Sequence, residues 1–97
     1  MYKLNDIVTV LTTNGEYVGK FVSQDNDKVE LKDPRFVSVS DQGMGFANGI
    51  SMTGHANPKE VTLYGISCIM ETNEQVQDAY RQMTSGLVTP PKTNLIV

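Results

Sequence analysis

The sequence is poor in the residues that most often carry catalysis and metal binding. Its 97 residues include no tryptophan, one cysteine and one histidine. The single cysteine, Cys68, cannot form a disulfide within the chain, and His55 has no acidic residue within three positions. Metal sites need several such ligands at short spacing. The sequence therefore predicts no metal site, and the absence of a glycine-rich phosphate-binding motif predicts no nucleotide cofactor.

Cys68 and His55 are the remaining option for enzymatic chemistry, as a nucleophile and its base. Cys68 lies in the apolar run from Ile66 to Met70, where the alternation is typical of a strand. A free cysteine in such a strand usually behaves as a small buried hydrophobic residue. We therefore expect no catalytic residues and a protein that is not an enzyme.

Positive charge is also scarce, with eight Lys and Arg against eleven Asp and Glu and a net charge of −3. This balance opposes non-specific binding to nucleic acid, which depends on basic side chains that neutralise phosphates. The nearest approach to a basic cluster is Lys20, Lys28, Lys32 and Arg35, but acidic residues alternate with them. We expect a solvated surface of mixed charge there.

Long apolar runs are absent as well. No stretch approaches the length that crosses a bilayer, and the N-terminus has no basic region followed by an apolar one. With 39% hydrophobic and 20% charged residues, the chain has the composition of a globular protein. We expect one domain over residues 1–97, located in the cytoplasm and without a membrane partner.

The strongest local pattern that is present is a β-hairpin between Val8 and Asp25. Two alternating apolar runs flank Asn14-Gly15, and Asn-Gly between such runs is the best short-range sign of a hairpin. Gly19 lies inside the second run, where a glycine weakens a strand unless the strand bends or another backbone comes close. A bent second strand is what a small closed barrel needs at a corner.

The middle of the chain predicts further strands and an insertion. A third strand begins near Lys28 and ends at a break at Asp33-Pro34, because Pro34 lacks an amide donor. An insertion over residues 34–60 contains a glycine-rich hairpin from Gly43 to Thr53, whose methionines offer an adaptable binding surface. Strands four and five are predicted at Val61–Tyr64 and Ile66–Glu71.

A helix is predicted over residues 73–85, followed by an extended tail over residues 87–97. Thr72 and Gln75 have the spacing of a capping box, and Gly86 fits the position after the last turn. A one-sided apolar stripe predicts that the helix packs on the strands or on a neighbouring subunit. Its residues are Val76, Ala79, Tyr80 and Met83.

The hairpin resembles the first motif of the Sm-like (LSm or Hfq-like) family. The matching residues are Val8, Val10, Asn14-Gly15, Gly19, Phe21 and Asp25. The stretch from Val61 to Ile69, two apolar strands around Gly65, resembles the second motif. The resemblance implies a small, bent, five-stranded Sm-like or SH3-like barrel. Members of the family commonly begin with a helix, whereas the residue patterns here place the helix at the C-terminus and add an inserted β-hairpin. We therefore expect an all-β fold with one C-terminal helix.

Members of this family assemble into rings in which strand four of one subunit pairs with strand five of the next. They usually bind uridine- or adenine-rich RNA. The resemblance therefore implies a cyclic homo-oligomer, with an RNA site in the loops around Asp25–Lys28 and Tyr64–Gly65. Carried over residue by residue, the RNA-binding candidates are Asp25, Asn26, Lys28, Tyr64 and Gly65.

The sequence departs from the family pattern at RNA-contacting positions. Asp27 stands where Sm proteins often place an aromatic residue that stacks on a base, and Tyr64-Gly65 stands where the second motif usually has Arg-Gly. Two functions therefore remain open. One is a non-enzymatic, ring-forming Sm-like protein that binds single-stranded RNA or acts as an RNA chaperone. The other is a protein–protein assembly module that keeps the ring and has lost RNA binding.

Overall fold

A computed structural model describes residues 2–47, 50, 53–55 and 58–84. The predicted tail over residues 87–97, Gly86 and parts of the glycine-rich insertion lie outside the described residues. In chain order the elements are β1 (Ile7–Thr12), β2 (Gly15–Asp25), β3 (Lys28–Ser40), β4 (Gly43–Phe46), β5 (Glu60–Tyr64), β6 (Ile66–Glu71) and α1 (Glu74–Thr84). Over the described residues the chain is therefore mostly β-strand with one short helix after the strands, as the sequence predicts.

The six strands form an antiparallel sheet that stays open. Its order is β4-β3-β2-β1-β6, and β5 pairs with the first part of β3. No ladder joins β5 to β6 within the described residues. The prediction of a closed five-stranded barrel is therefore wrong in the number of strands and in the closure. The additional strand is β4.

β4 is a strand where the sequence predicts the start of the glycine-rich hairpin, and it joins the sheet by pairing with the end of β3. Val39 lies opposite Met44, and the connecting turn is Asp41-Gln42. The sequence does not predict this pairing with β3. The physical reason for the pairing is that β3 continues to Ser40 and offers an open edge to the segment that follows it. The rest of the predicted hairpin from Gly43 to Thr53 depends on residues 48, 49, 51 and 52, which lie outside the described residues.

β3 continues through Pro34, where the sequence predicts a break. The strand forms a bulge there, in which Asp33 and Pro34 face the single residue Gly19 of β2. Asp33 has a φ of 48°, a left-handed conformation that aspartate tolerates better than most residues. A bulge is one of the few places where a sheet accepts proline. The predicted break is thus a bend within one strand.

One face of the sheet carries the main hydrophobic core. Alternation along β1 places Val8 and Val10 on this face and Ile7 on the other. Gly19 also lies here, because a β-carbon built on it would be 3.1 Å from Leu31 Cβ. This confirms the close approach that the sequence predicts at Gly19. The buried residues of this core are Val8, Val10, Tyr17, Phe21, Val29, Leu31 and Leu63.

Helix α1 covers the opposite face of the sheet. Tyr80 is fully buried with Ile7 and Val18, and its hydroxyl donates to the carbonyl oxygens of Asp33 at 2.6 Å and Lys32 at 3.3 Å. Burial raises the pKa of Tyr80 above its ordinary range, and the Asp33 carboxylate raises it further. The hydroxyl therefore stays protonated and keeps donating, which ties the helix to the bulge in β3.

The start of α1 differs from its predicted cap. The side-chain oxygen of Asn73 accepts the Val76 amide at 2.9 Å, so Asn73 is the cap and the predicted Thr72–Gln75 capping box is wrong. Thr72 is buried instead, and its hydroxyl forms a 2.8 Å hydrogen bond with the Thr9 hydroxyl. Of the predicted stripe, Tyr80 is buried, Val76 and Ala79 are half-buried, and Met83 is exposed.

We predict that Gly19→Val lowers the free energy of unfolding by about 1–3 kcal/mol, because the added methyl groups overpack the site against Leu31. A β-carbon on Gly19 would also lie 3.2 Å from the Lys32 carbonyl oxygen. The new side chain therefore cannot relieve its contact with Leu31 by shifting toward Lys32. Chemical denaturation measures the change. Gln24→Val is the control, since Gln24 is an exposed residue of the same strand. An unchanged unfolding midpoint for Gly19→Val would contradict the close approach.

Candidate functional site at the β2–β3 and β5–β6 turns

The structure brings the predicted RNA-contact residues together at one end of the sheet. Asp25 pairs with Lys28 across the β2–β3 turn, and Lys28 pairs with Tyr64 of β5. Residues directly opposite each other have Cβ atoms about 4.5–5.5 Å apart on the same face of the sheet. Asp25, Lys28 and Tyr64 therefore form a cross-strand set, here called the Tyr64 row. Asn26 and Gly65 lie in the turns beside it.

Both turns contain a residue with a left-handed backbone conformation. Asn26 has a φ of 52° and Gly65 a φ of 70°. Asparagine tolerates this region, and glycine enters it without a steric penalty. The β2–β3 connection therefore needs only two residues and the β5–β6 connection only one. Short turns of this kind hold the strand ends, and hence the Tyr64 row, in a defined position.

Asp27 links the two turns. Its carboxylate accepts hydrogen bonds from the backbone amides of Gly65 at 3.3 Å and Ile66 at 3.2 Å. The sequence assigns Asp27 only the place of a missing aromatic residue. Its contact with Gly65 spans 38 positions, and no local signal in the sequence points to it. Asp27 is therefore a structural support of the Tyr64 row that sequence reasoning missed.

The Tyr64 row is open to solvent. Tyr64 is 63% exposed, and Asp25, Asn26 and Lys28 are exposed as well. An exposed aromatic ring can stack on a nucleic-acid base while a neighbouring ammonium contacts phosphate. Asp25 is the cross-strand partner of Lys28 and Asp27 precedes it in the chain, and both carboxylates repel phosphate. The arrangement therefore suits weak contact with a single strand.

Two other members of the predicted basic cluster are engaged elsewhere. The Lys20 ammonium lies 3.5 Å from the Asp33 carboxylate. Arg35 is buried, and its guanidinium donates to the carbonyl oxygen of Pro34 at 2.9 Å. Neither side chain therefore brings positive charge to the Tyr64 row. The Lys20–Asp33 pair fits the surface of mixed charge that the sequence predicts.

The residues considered for metal binding and catalysis do not cluster. Over residues 2–47, 50, 53–55 and 58–84, no three His, Cys, Asp or Glu side chains come together in a way that could hold a metal ion. Cys68 is half-buried in β6, opposite Leu11 of β1. His55 lies on the exposed surface of the inserted segment.

Comparisons with known proteins were negative, since no family model, no curated protein and no solved structure matches this chain. Among the described residues, no helix is both long and apolar enough to cross a membrane.

We predict that Asp27→Ala lowers the free energy of unfolding by about 0.5–1.5 kcal/mol, the modest net contribution of exposed hydrogen bonds. The amides of Gly65 and Ile66, which lose their acceptor, should exchange hydrogen faster in this variant. Asp25→Ala is the matched control, because it removes the same charge from an exposed residue at the same turn. Equal exchange rates at Gly65 and Ile66 in Asp27→Ala and the wild type would rule out the link.

Proposed function

We propose that this chain is a non-enzymatic, Sm-like assembly module that closes into a cyclic homo-oligomer. The observation that carries the proposal is that two outer strands follow each other directly in the chain. Among the described residues, β5 pairs only with β3 and β6 pairs only with β1. Gly65 alone separates β5 from β6. Each of the two strands therefore offers one unpaired edge.

The composition of these edges supports pairing between subunits. Proteins usually protect an exposed edge with charged side chains or proline. Residues 61–70 contain neither. Two large side chains along them are also open to solvent, with Tyr64 63% and Met70 41% exposed. An unguarded edge of this kind is suited to pair with another strand.

Pairing of β5 in one copy with β6 in the next is a head-to-tail contact. An open chain of such contacts leaves one β5 edge and one β6 edge free at its ends, whereas a ring pairs every β5 edge with a β6 edge. The resemblance to Sm-like proteins implies the same pairing, because their strands four and five correspond to β5 and β6. A discrete ring is therefore the assembly that both arguments favour.

We further propose that the ring binds single-stranded RNA weakly through the Tyr64 row. The row places an exposed aromatic ring beside Lys28, a combination suited to stacking on a base and contacting phosphate. The net charge of −3 and the carboxylates of Asp25 and Asp27 oppose tight binding. The same charges favour the alternative, an assembly module that keeps the ring and does not bind RNA.

Thr62→Pro tests the ring. The Asp33 amide donates to the Lys59 carbonyl oxygen at 2.8 Å, so alternation along β5 points the Thr62 amide away from β3. Proline at this position removes a donor from the open edge and leaves the ladder with β3 intact. In light scattering, the wild type should be a discrete species several times its 10.7 kDa monomer, unchanged by dilution through the micromolar range. Thr62→Pro should give a smaller species.

Thr62→Ala is the control for the ring experiment, because it shortens the same side chain but keeps the edge amide. It should assemble like the wild type. Circular dichroism establishes whether Thr62→Pro retains its strands. A monomeric wild type at micromolar concentration would overturn the ring.

Titration with short U-rich and A-rich RNAs at low and high salt tests the Tyr64 row. Tyr64→Ala should weaken binding roughly tenfold, because stacking of a base on an aromatic side chain contributes about 1–3 kcal/mol. Lys28→Ala should weaken binding and reduce its salt dependence. Lys3→Ala, which removes an exposed charge outside the row, should have little effect. RNA affinity that is unchanged in both Tyr64→Ala and Lys28→Ala would refute the placement of the RNA site at the Tyr64 row. An absence of RNA binding at low salt would favour the alternative function.

A further inference from the structure

Residues 37–40 of β3 pair with β4 to form a hairpin, here called the arm. The arm has two chemically different faces. One face carries only small residues, in the cross-strand pairs Ser38–Gly45 and Ser40–Gly43. The other face carries large apolar residues, in the pairs Val37–Phe46 and Val39–Met44. The arm is therefore a two-stranded ribbon with one apolar side.

Only the base of this apolar side is covered in the described residues. Val37 and Phe46 pack against Tyr80 of α1, and the ring centroids of Phe46 and Tyr80 lie 6.0 Å apart. Toward the tip, Val39 is 78% exposed and Met44 is 40% exposed. Single exposed apolar residues are ordinary. Val39 and Met44 are directly opposed instead of scattered, and they extend the apolar side beyond Val37 and Phe46 as one continuous surface.

A pocket of about 140 Å³ opens between the arm and the start of α1. Its volume is close to that of a cavity that holds one benzene-sized group. Met44 can adjust to the shape of such a group, since its side chain is flexible and polarisable. The pocket therefore suits one large apolar side chain. Its apolar walls are Val18, Val37, Met44, Phe46 and Val76.

The charge around the pocket is negative. Glu16 lines it, and no lysine or arginine does so in the part of the chain that the structure describes. Asp41 lies in the turn of the arm, and Glu74 follows the lining residue Asn73 in the chain, so two further exposed carboxylates are close in sequence to residues of this surface. Complementary charge across an interface steers partners and excludes wrong ones. The surface therefore favours a partner that is both apolar and basic.

We propose that the arm and the pocket bind a peptide segment of a partner protein in which one large apolar side chain is flanked by Lys or Arg. The apolar side chain enters the pocket beside Met44, and the flanking cations face Glu16 and Asp41. This surface shares no residue with β5, β6 or the Tyr64 row. It therefore remains available in the proposed ring, and its test does not depend on ring formation.

Three five-residue peptides test the proposal through backbone amide chemical shifts. The first has one leucine between two pairs of lysines, the second has alanine in place of leucine, and the third has glutamates in place of the lysines. The first should shift the amides of Val39, Met44 and Val76 in a saturable way. The alanine peptide should bind about tenfold more weakly, because it loses most of the apolar contact. The glutamate peptide should bind more weakly still at low salt, and added salt should reduce that difference.

Met44→Lys removes one wall of the pocket and adds a repelling charge, so binding of the lysine–leucine peptide should be lost. Met83→Lys is the matched control, because Met83 is exposed to a similar extent, 38% against 40%, and lies outside the pocket. Glu16→Gln should reduce the preference for lysine over glutamate and keep the preference for leucine over alanine. If Met44→Lys fails to fold, the result for Glu16→Gln tests the proposal in its place.

Three results would overturn the proposal. The first is unchanged peptide binding by Met44→Lys, and the second is equal binding of the lysine and glutamate peptides by the wild type. The third is a shift of the same amides when the protein concentration is raised without peptide, which would assign the surface to a second copy of the chain. Light scattering of Met44→Lys should match the wild type, which separates this surface from the edges of β5 and β6.

Discussion

The bulge at Asp33-Pro34 is the constraint on which the rest of the structure depends. A left-handed residue followed by proline cannot continue a regular ladder, because the first changes the strand direction and the second lacks an amide donor. Gly19 leaves the space that keeps β2 close to β3 beside the bulge. On the other face, the buried Tyr80 hydroxyl supplies a donor to the carbonyl oxygens of Lys32 and Asp33. These contacts hold β3, its bulge and α1 together as one unit.

The bulge divides β3 into two parts with different partners. Residues 28–32 pair with β5, and residues 37–40 pair with β4. The first pairing places β5 at the boundary of the sheet, where its far edge is open and its end carries the Tyr64 row. The second pairing forms the arm, whose base packs on α1 and whose tip leaves Val39 and Met44 exposed. Both surfaces for which a function is proposed therefore follow from a single bend.

The two parts of the proposed function depend on different physics. Pairing of strand edges uses backbone amides and carbonyls, which are present whatever the side-chain charge. Contact with RNA depends on positive charge, and the chain has more carboxylates than cations. Of the other residues in the predicted basic cluster, Lys20 is paired with Asp33 and Arg35 is buried. Assembly is therefore the more strongly supported part, and RNA binding is the part that the charge distribution weakens.

The sequence by itself determined what depends on local pattern, namely the first β-hairpin, the short helix with its buried Tyr80 and the close approach at Gly19. The turn of that hairpin is Thr13-Asn14, one residue before the predicted Asn14-Gly15, because Gly15 already pairs with Thr12. It also indicated both turns of the candidate site, but only the tertiary structure decided that they meet through Asp27. Tertiary structure likewise decided that β3 passes through Pro34 and that β4 completes an open sheet. The reason is that alternation predicts a strand and the face it buries, whereas the choice of partner edge depends on contacts between residues far apart in the chain.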